Sequence, residues 1–202
     1  MLLALDTATP ACTAALFADD GSLLARADEV MARGHAERLV PLLERLLDGR
    51  RPRTILVGCG PGSFTGLRVG IAAAHGLALG WKAALHGFST PALLAAGAPG
   101  SGPLAVALVG GHGELFVQQF NRDPLSAASD LASLPPEQAA KVITAPQVIG
   151  SGAASLVEAR GHGEALDALP AAADVLLLPP PSRGLPAKPL YARAPDAKPK
   201  AA

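Results

Sequence analysis

Apolar residues follow two rhythms along this chain. Short apolar runs at residues 2–5, 12–17, 23–27 and 55–57 have the length of strands, and the first three are separated by turn residues. Asp6-Thr7-Ala8-Thr9-Pro10 forms the first turn, and Asp19-Asp20-Gly21 is a hairpin signal. The chain is therefore expected to open as a three-stranded meander. Leu39, Leu42, Leu43 and Leu46 then recur at helical spacing over residues 35–47, and Gly49 stops that helix. A second helix is expected over 66–80, a strand over 84–86, and a short helix opening at Ser89 or Thr90 with Pro91 at an early position. Residues 97–103, Gly-Ala-Pro-Gly-Ser-Gly-Pro, read as a boundary. Beyond it, residues 104–109 and 114–120 read as a hairpin with a glycine tip. Residues 137–141 give a helical turn at most, and 148–149 a strand ending in a Gly150-Ser151-Gly152 turn. Seven prolines in residues 179–199 suggest an extended, surface-hugging tail.

A meander followed by alternating helices and strands is the order of a ribonuclease-H-like unit. The expected fold is thus α/β with two such subdomains, the second reduced: residues 1–100, 103–178, and a proline-rich tail at 179–202. At 202 residues and 50% apolar content the chain can bury a real core, which alanine, leucine and valine must fill because aromatics are only 3%. Lys+Arg and Asp+Glu balance at 17 each, so no electrostatic footprint for nucleic acid is present. The basic clusters at Arg50-Arg51-Arg53 and in the 188–200 tail read as solvated surface. Cys12 and Cys59 lie in apolar contexts, as buried thiols of a reducing compartment do. No signal peptide is visible, and the uncharged stretch 83–113 is broken by Pro91, Pro99 and Pro103, so no membrane helix is expected and a cytoplasmic location is.

Candidate chemistry concentrates in Gly58-Cys59-Gly60-Pro61-Gly62-Ser63-Phe64-Thr65-Gly66-Leu67-Arg68, between a strand and a helix. Gly60, Gly62, Ser63, Thr65 and Gly66 could cradle an anion, with Ser63 or Thr65 capping the helix. They could equally make a tight turn with no ligand. The segment lacks the Lys-Ser/Thr of a P-loop, and Ser63 stands where a dinucleotide fingerprint needs its third glycine. Asp6, with Thr7 and Thr9, could hold Mg²⁺ and phosphate, or close an Asx-turn on its own backbone, which the spacing favours. The five histidines 35, 75, 86, 112 and 162 show no His-x₃-His pair, so no metal site is expected. No Gly-x-Ser-x-Gly elbow occurs. The helix at 35–47 carries a wide apolar arc once Val40 and Leu47 join the stripe. The helix at 66–80 presents Gly66, Gly70, Ala73, Ala74, Gly76 and Gly80 as a small-residue surface. That surface fits either close packing on the chain's own sheet or a partner-binding face.

Several blocks, in order, resemble the TsaB (YeaZ) family of tRNA threonylcarbamoyladenosine synthesis. They are Leu3-Ala4-Leu5-Asp6-Thr7-Ala8-Thr9, His35-Ala36-Glu37-Arg38-Leu39-Val40-Pro41, the glycine segment through Val69-Gly70, Gly76-Leu77-Ala78-Leu79-Gly80, and Pro189-Leu190-Tyr191-Ala192-Arg193-Ala194-Pro195. The resemblance implies an actin-like/sugar-kinase fold and a non-catalytic role. It implies pairing with a larger TsaD-type subunit that carries the metal and the transfer chemistry, with a TsaE-type ATPase completing the complex. The chain alone would form a homodimer, and tRNA would be met only through the complex. No cofactor of its own is implied, ATP or ADP with Mg²⁺ entering at most at the complex interface. The pairing helices correspond to 35–47 and 66–80, which nominates His35, Leu39, Val40, Leu43, Leu47, Arg68, Gly70, Ala73, Ala74 and Leu77 as interface residues. The family's Asp-Ala-Arg is replaced by Val109-Gly110-Gly111, and its last helix by Pro179-Pro180-Pro181-Ser182-Arg183-Gly184, which is expected to be non-helical. Rival readings are an ATP-dependent kinase or ATPase using Asp6 and the glycine loop, and a glycoprotease-like peptidase.

Overall fold

The computed structural model describes residues 1–31 and 34–192. The meander forms as expected: β1 (Leu2–Asp6), β2 (Ala11–Phe17) and β3 (Leu23–Val30) pair antiparallel. The β2–β3 turn closes where Asp20 accepts from the Ser22 N–H at 2.9 Å and Gly21 takes φ +85. The chain continues through α1 (His35–Leu47), β4 (Thr54–Gly58), α2 (Phe64–Trp81), β5 (Ala84–Phe88) and α3 (Thr90–Gly97). β4 lies parallel to β1, and β5 parallel to β4, giving the order β3-β2-β1-β4-β5.

The second half repeats that plan. β6 (Leu104–Val109), β7 (Leu115–Arg122) and β8 (Leu125–Ala127) form an antiparallel meander, with β9 (Ala132–Leu134) also on β7. Then come α4 (Pro136–Val142), β10 (Gln147–Ile149), α5 (Ala153–Arg160) and β11 (Glu164–Leu166). β10 runs parallel to both β6 and β11, so the order β8-β7-β6-β10-β11 matches the first sheet strand for strand. Both central strands are apolar runs, β6 being buried from Leu104 to Leu108, as a strand covered on two faces requires.

Burial explains the layering. α1 and α2 cover one face of the first sheet through Leu39, Leu42, Leu43, Leu46, Ile71 and Ala74. α4 and α5 cover the matching face of the second sheet through Ala139, Ile143 and Leu156. Between the sheets lie α3 and a 3₁₀ turn, Ala172–Leu177. Leu94 and Ala95 of α3 pack with Leu104, Val106 and Phe120 of the second sheet, while Ala172 and Val175 of the turn pack with Ala4, Ala15 and Phe17 of the first. Each half therefore lends a helical element to the other. Arg122 fastens the connection by donating to Pro99 O and to Gln147.

The second half departs from expectation in several places. α4 is two turns rather than one. α5, β8, β9 and β11 carry no strong periodicity, so no sequence signal predicts them. Residues 172–178, placed by the sequence in the second subdomain, sit on the first sheet, where Ala172 N–H donates to Thr13 Oγ1 at 2.8 Å. Pro180–Arg183, expected to be non-helical, makes a 3₁₀ turn. A proline in the first turn loses nothing there, because that N–H has no helical partner anyway. Arg193, Ala194, Pro195 and the basic tail beyond lie outside the described residues.

Candidate functional site

The glycine segment is built around the first turn. Ser63 caps α2, its Oγ accepting from Gly66 N–H at 3.2 Å, and Ser63 N–H donates to Ala8 O at 2.7 Å. The Thr7 hydroxyl donates to Gly66 O at 2.7 Å. A Cβ on Gly62 would overlap Ala8 O, one on Gly66 would overlap Thr7 O, and one on Gly70 would overlap Thr7 Oγ1. These glycines let α2 and its loop press against residues 7–8 of the same chain. Thr65 is exposed on the first turn of α2, and Gly60, at φ +84 before a cis Pro61, packs on Leu67.

Asp6 is fully buried. One carboxylate oxygen accepts from Ala8 N–H at 2.6 Å, closing an Asx-turn, and the other accepts from the Thr90 hydroxyl at 2.7 Å. Burial pushes its pKa up to about 6, while the bonds from Thr90 and Ala8 and the nearby His35 pull the other way. Gly58 has no room for a Cβ because Asp6 fills the space. Both oxygens are thus engaged internally, and the Asx-turn that the spacing favours is formed.

A cleft of about 580 Å³ opens where the carboxyl ends of the two central strands meet. Ala8, Thr9, Pro10, His35, Gly62, Ser63 and Phe64 line it from the first half; Leu108, Val109, Gly110, Gly111, Phe116 and Ser151 line it from the second. Of the sequence-nominated site residues it gathers Thr9, His35, Gly62 and Ser63, and leaves out Asp6, Thr7, Gly60, Thr65 and Gly66. Thr9 O accepts from His35 Nε2 at 3.0 Å, because a carbonyl oxygen can only accept. Ser151 was not nominated; its Oγ accepts from Val109 N–H at 3.1 Å, tying β10's glycine turn to the end of β6. The Gly150-Ser151-Gly152 pattern, echoing the longer loop, was the available signal.

Neither cysteine is set up as a nucleophile. Cys12 and Cys59 are buried and free, and burial pushes both thiols up to about 11. Among the described residues no group of three His, Cys, Asp or Glu side chains stands together as a metal cage. No described helix is long and apolar enough to cross a membrane.

The helix pair α1–α2 divides the nominated interface residues in two. Leu39, Leu43, Leu47, Gly70 and Ala74 lie in the first-half interior, and His35 is nearly buried at the wall of the cleft, so none of these six stands on the outward face. Gly70 faces Thr7, so enlarging it would damage the fold rather than a surface. Ala73 and Leu77 are half-buried, while Val40 is 62% exposed and Arg68 stacks over the Phe64 ring at 3.6 Å. Outward from α2 also stand Ala72, Gly76, Gly80 and Leu79, the last 84% exposed. A Cβ on Gly76 or Gly80 would meet nothing within 4 Å. The sequence missed Ala72 and Leu79 because, Thr65, Arg68 and His75 apart, the helix is apolar nearly all round, and its apolar periodicity is too weak to say which stripe faces inward.

Residues 28–146 match the family model described as "TsaD: tRNA N6-adenosine threonylcarbamoyltransferase". The chain is similar to the Escherichia coli "tRNA threonylcarbamoyladenosine biosynthesis protein TsaB", 37% identical over 130 residues, which are 60% of this chain and 55% of that protein. An uncharacterised protein of Mycobacterium tuberculosis is 36% identical over 99% of this chain and 95% of its own length. The solved structure of YeaZ from Pseudomonas aeruginosa superposes with a TM-score of 0.79 at 32% identity, covering 94% of this chain and 98% of that one.

Proposed function

The chain belongs to the TsaB (YeaZ) family, and from that premise we propose that it is a partner subunit in threonylcarbamoyladenosine modification of tRNA. It pairs with a TsaD-type catalytic subunit through the outward faces of α1 and α2 and supplies no chemistry of its own. The observation that carries this reading is the outward face of α2. Phe64, Ala72 and Leu79 are exposed, and Gly76 inside the helix and Gly80 in its last turn have open space above them. A glycine inside a helix costs roughly 1 kcal/mol relative to alanine. The fold gets nothing in return at these two positions, whereas a second helix approaching closely would. Alone, the chain places the same face against a second copy. A TsaE-type ATPase and tRNA join through the complex, ATP or ADP with Mg²⁺ enters at most between subunits, and the assembly works in the cytoplasm.

The internal engagement of Asp6 speaks against a kinase or ATPase using that carboxylate, and the buried, high-pKa thiols speak against a cysteine peptidase. The test is co-purification with the TsaD-type subunit of the same organism, followed by a threonylcarbamoylation assay with and without this chain. A stable complex and chain-dependent activity are expected. Ala72→Arg and Val40→Arg, both on the surface, should abolish the complex while leaving thermal unfolding within about 0.5 kcal/mol of the parent. Activity independent of this chain, or a complex indifferent to both substitutions, would sink the reading. Calorimetric titration with Mg·ATP is expected to show no binding that Asp6→Asn removes.

A further inference from the structure

After the 3₁₀ turn Pro180–Arg183, the chain stays with the first half and runs along the edge of its sheet. Leu185 exchanges two main-chain hydrogen bonds with Gly87 of β5, at 2.6 and 3.1 Å, as an antiparallel bridge on the edge of the first sheet. Pro186 O accepts from the Cys59 thiol at 3.6 Å. Ala187 O bonds His75 Nε2 of α2 at 3.1 Å. Leu190 N–H donates to Cys59 O at 2.8 Å, while Ala187 and Leu190 pack on the first-half core. Five attachments in six residues thus join this strap to the sheet edge, the glycine loop and α2. Gly87 is glycine for a matching reason: a Cβ there would overlap Cys59 Sγ and stand 2.9 Å from Pro186 O.

On its other side the strap borders open space. A groove of about 460 Å³ separates Pro181, Ser182, Leu185 and Leu190 from Gln118 and Phe120 of β7. Hydrogen bonds hold the strap on one side, and there is room for it to lift on the other.

We propose that residues 185–190 act as a positioning clamp: seated, they hold the Cys59–Pro61 loop and α2 in the geometry that pairing requires, so partner affinity depends on a segment outside α2 that reaches the helix at His75. The dependence on pairing rests on the reading above; the clamping itself does not. α2 begins immediately after the glycine loop, so a loop held at Cys59 from one side and at Ala8 from the other fixes where the helix starts. His75, within the helix, fixes its roll.

The test uses the full-length chain with Leu185→Pro, which removes one bridging N–H without touching Cys59, and Gly87→Ala, whose Cβ crowds Cys59 Sγ as well as the strap. Amide exchange by mass spectrometry and affinity for the TsaD-type subunit are both measured. Exchange at Gly87, Leu190 and the first turns of α2 should rise about tenfold or more, and pairing should weaken about tenfold, the scale of one or two lost main-chain bonds. His75→Ala serves if the first two variants fold poorly; because His75 stands on the outward face of α2 it is read by amide exchange alone, with a rise of about threefold expected in the first turns of α2. Unchanged exchange in α2 when the strap is released, or unchanged pairing despite that release, overturns the proposal. If the parent chain fails to pair at all, the partner reading falls, and the exchange data alone decide the clamp.

Discussion

The two halves of this molecule share one strand order and differ in almost everything laid upon it. Both sheets read 3-2-1-4-5 from the edge, with a helix after the meander and another after the fourth strand. In the first half those helices have 13 and 18 residues; in the second they have 7 and 8. The central strand of the first half ends in buried Asp6, that of the second in exposed Val109. The first half also receives the 3₁₀ turn and the strap from the far end of the chain. The lesson is that strand order constrains topology, while helix length and the contacts at strand ends decide which half presents a large outward helical face. Only the first half has a helix long enough to bury one apolar stripe and expose another.

The glycine loops offer the harshest way to break this comparison. Gly66→Ala in the first half drives a Cβ into the backbone carbonyl of Thr7, which cannot move without unseating β1. Gly152→Ala in the second meets the tip of the Leu115 side chain at 2.7 Å, which can turn aside. Urea unfolding should show a loss of roughly 4 kcal/mol or outright misfolding for the first, and about 1–2 kcal/mol for the second. Equal losses would mean the two loops are mechanically alike.

Strand ends come next. Asp6 holds a proton up to about pH 6 in the folded chain, against an ordinary carboxyl value of 3.8. Between those values the folded state binds more protons than the unfolded one, so stability falls as pH rises through the window. Above it the ionised, buried carboxylate is a standing cost. Asp6→Asn retains an acceptor for Ala8 N–H and removes the charge. Relative to the parent it should gain roughly 2–3 kcal/mol between pH 4 and pH 7, measured as unfolding free energy at each pH. A parallel pH dependence in parent and variant would show that Asp6 titrates normally.

The smallest expected effect sharpens the contrast on α2 itself. Gly76→Ala has open space and normal helical backbone, so it should raise the chain's own stability by up to about 1 kcal/mol while weakening pairing. Thermal unfolding of the lone chain and titration of the partner would separate the two.

Much of the first half was legible because each element carried its own local signal. α1 begins and ends where the leucine spacing and Gly49 predicted, and the meander follows from short apolar runs parted by Asp, Gly and Pro. α5 was missed although Gly161, at φ +77, is the kind of helix stop that sequence can reveal. Its buried residues are only Ala153 and Leu156, too few to make a rhythm.

The sequence by itself determined the α/β class, the first meander, the two long helices, the family blocks and the balanced charge, since these depend on residues near one another in the chain. Only the tertiary structure decided that Asp6 turns inward, that Gly66 and Gly70 face Thr7 while Gly76 and Gly80 face outward, and that residues 172–190 belong to the first half. Those facts depend on which surfaces meet across more than 50 residues of chain, between Thr7 and Gly66, and across far more between Cys59 and Pro186. A helix apolar nearly all round, or a glycine with no side chain to read, carries no local record of what it touches.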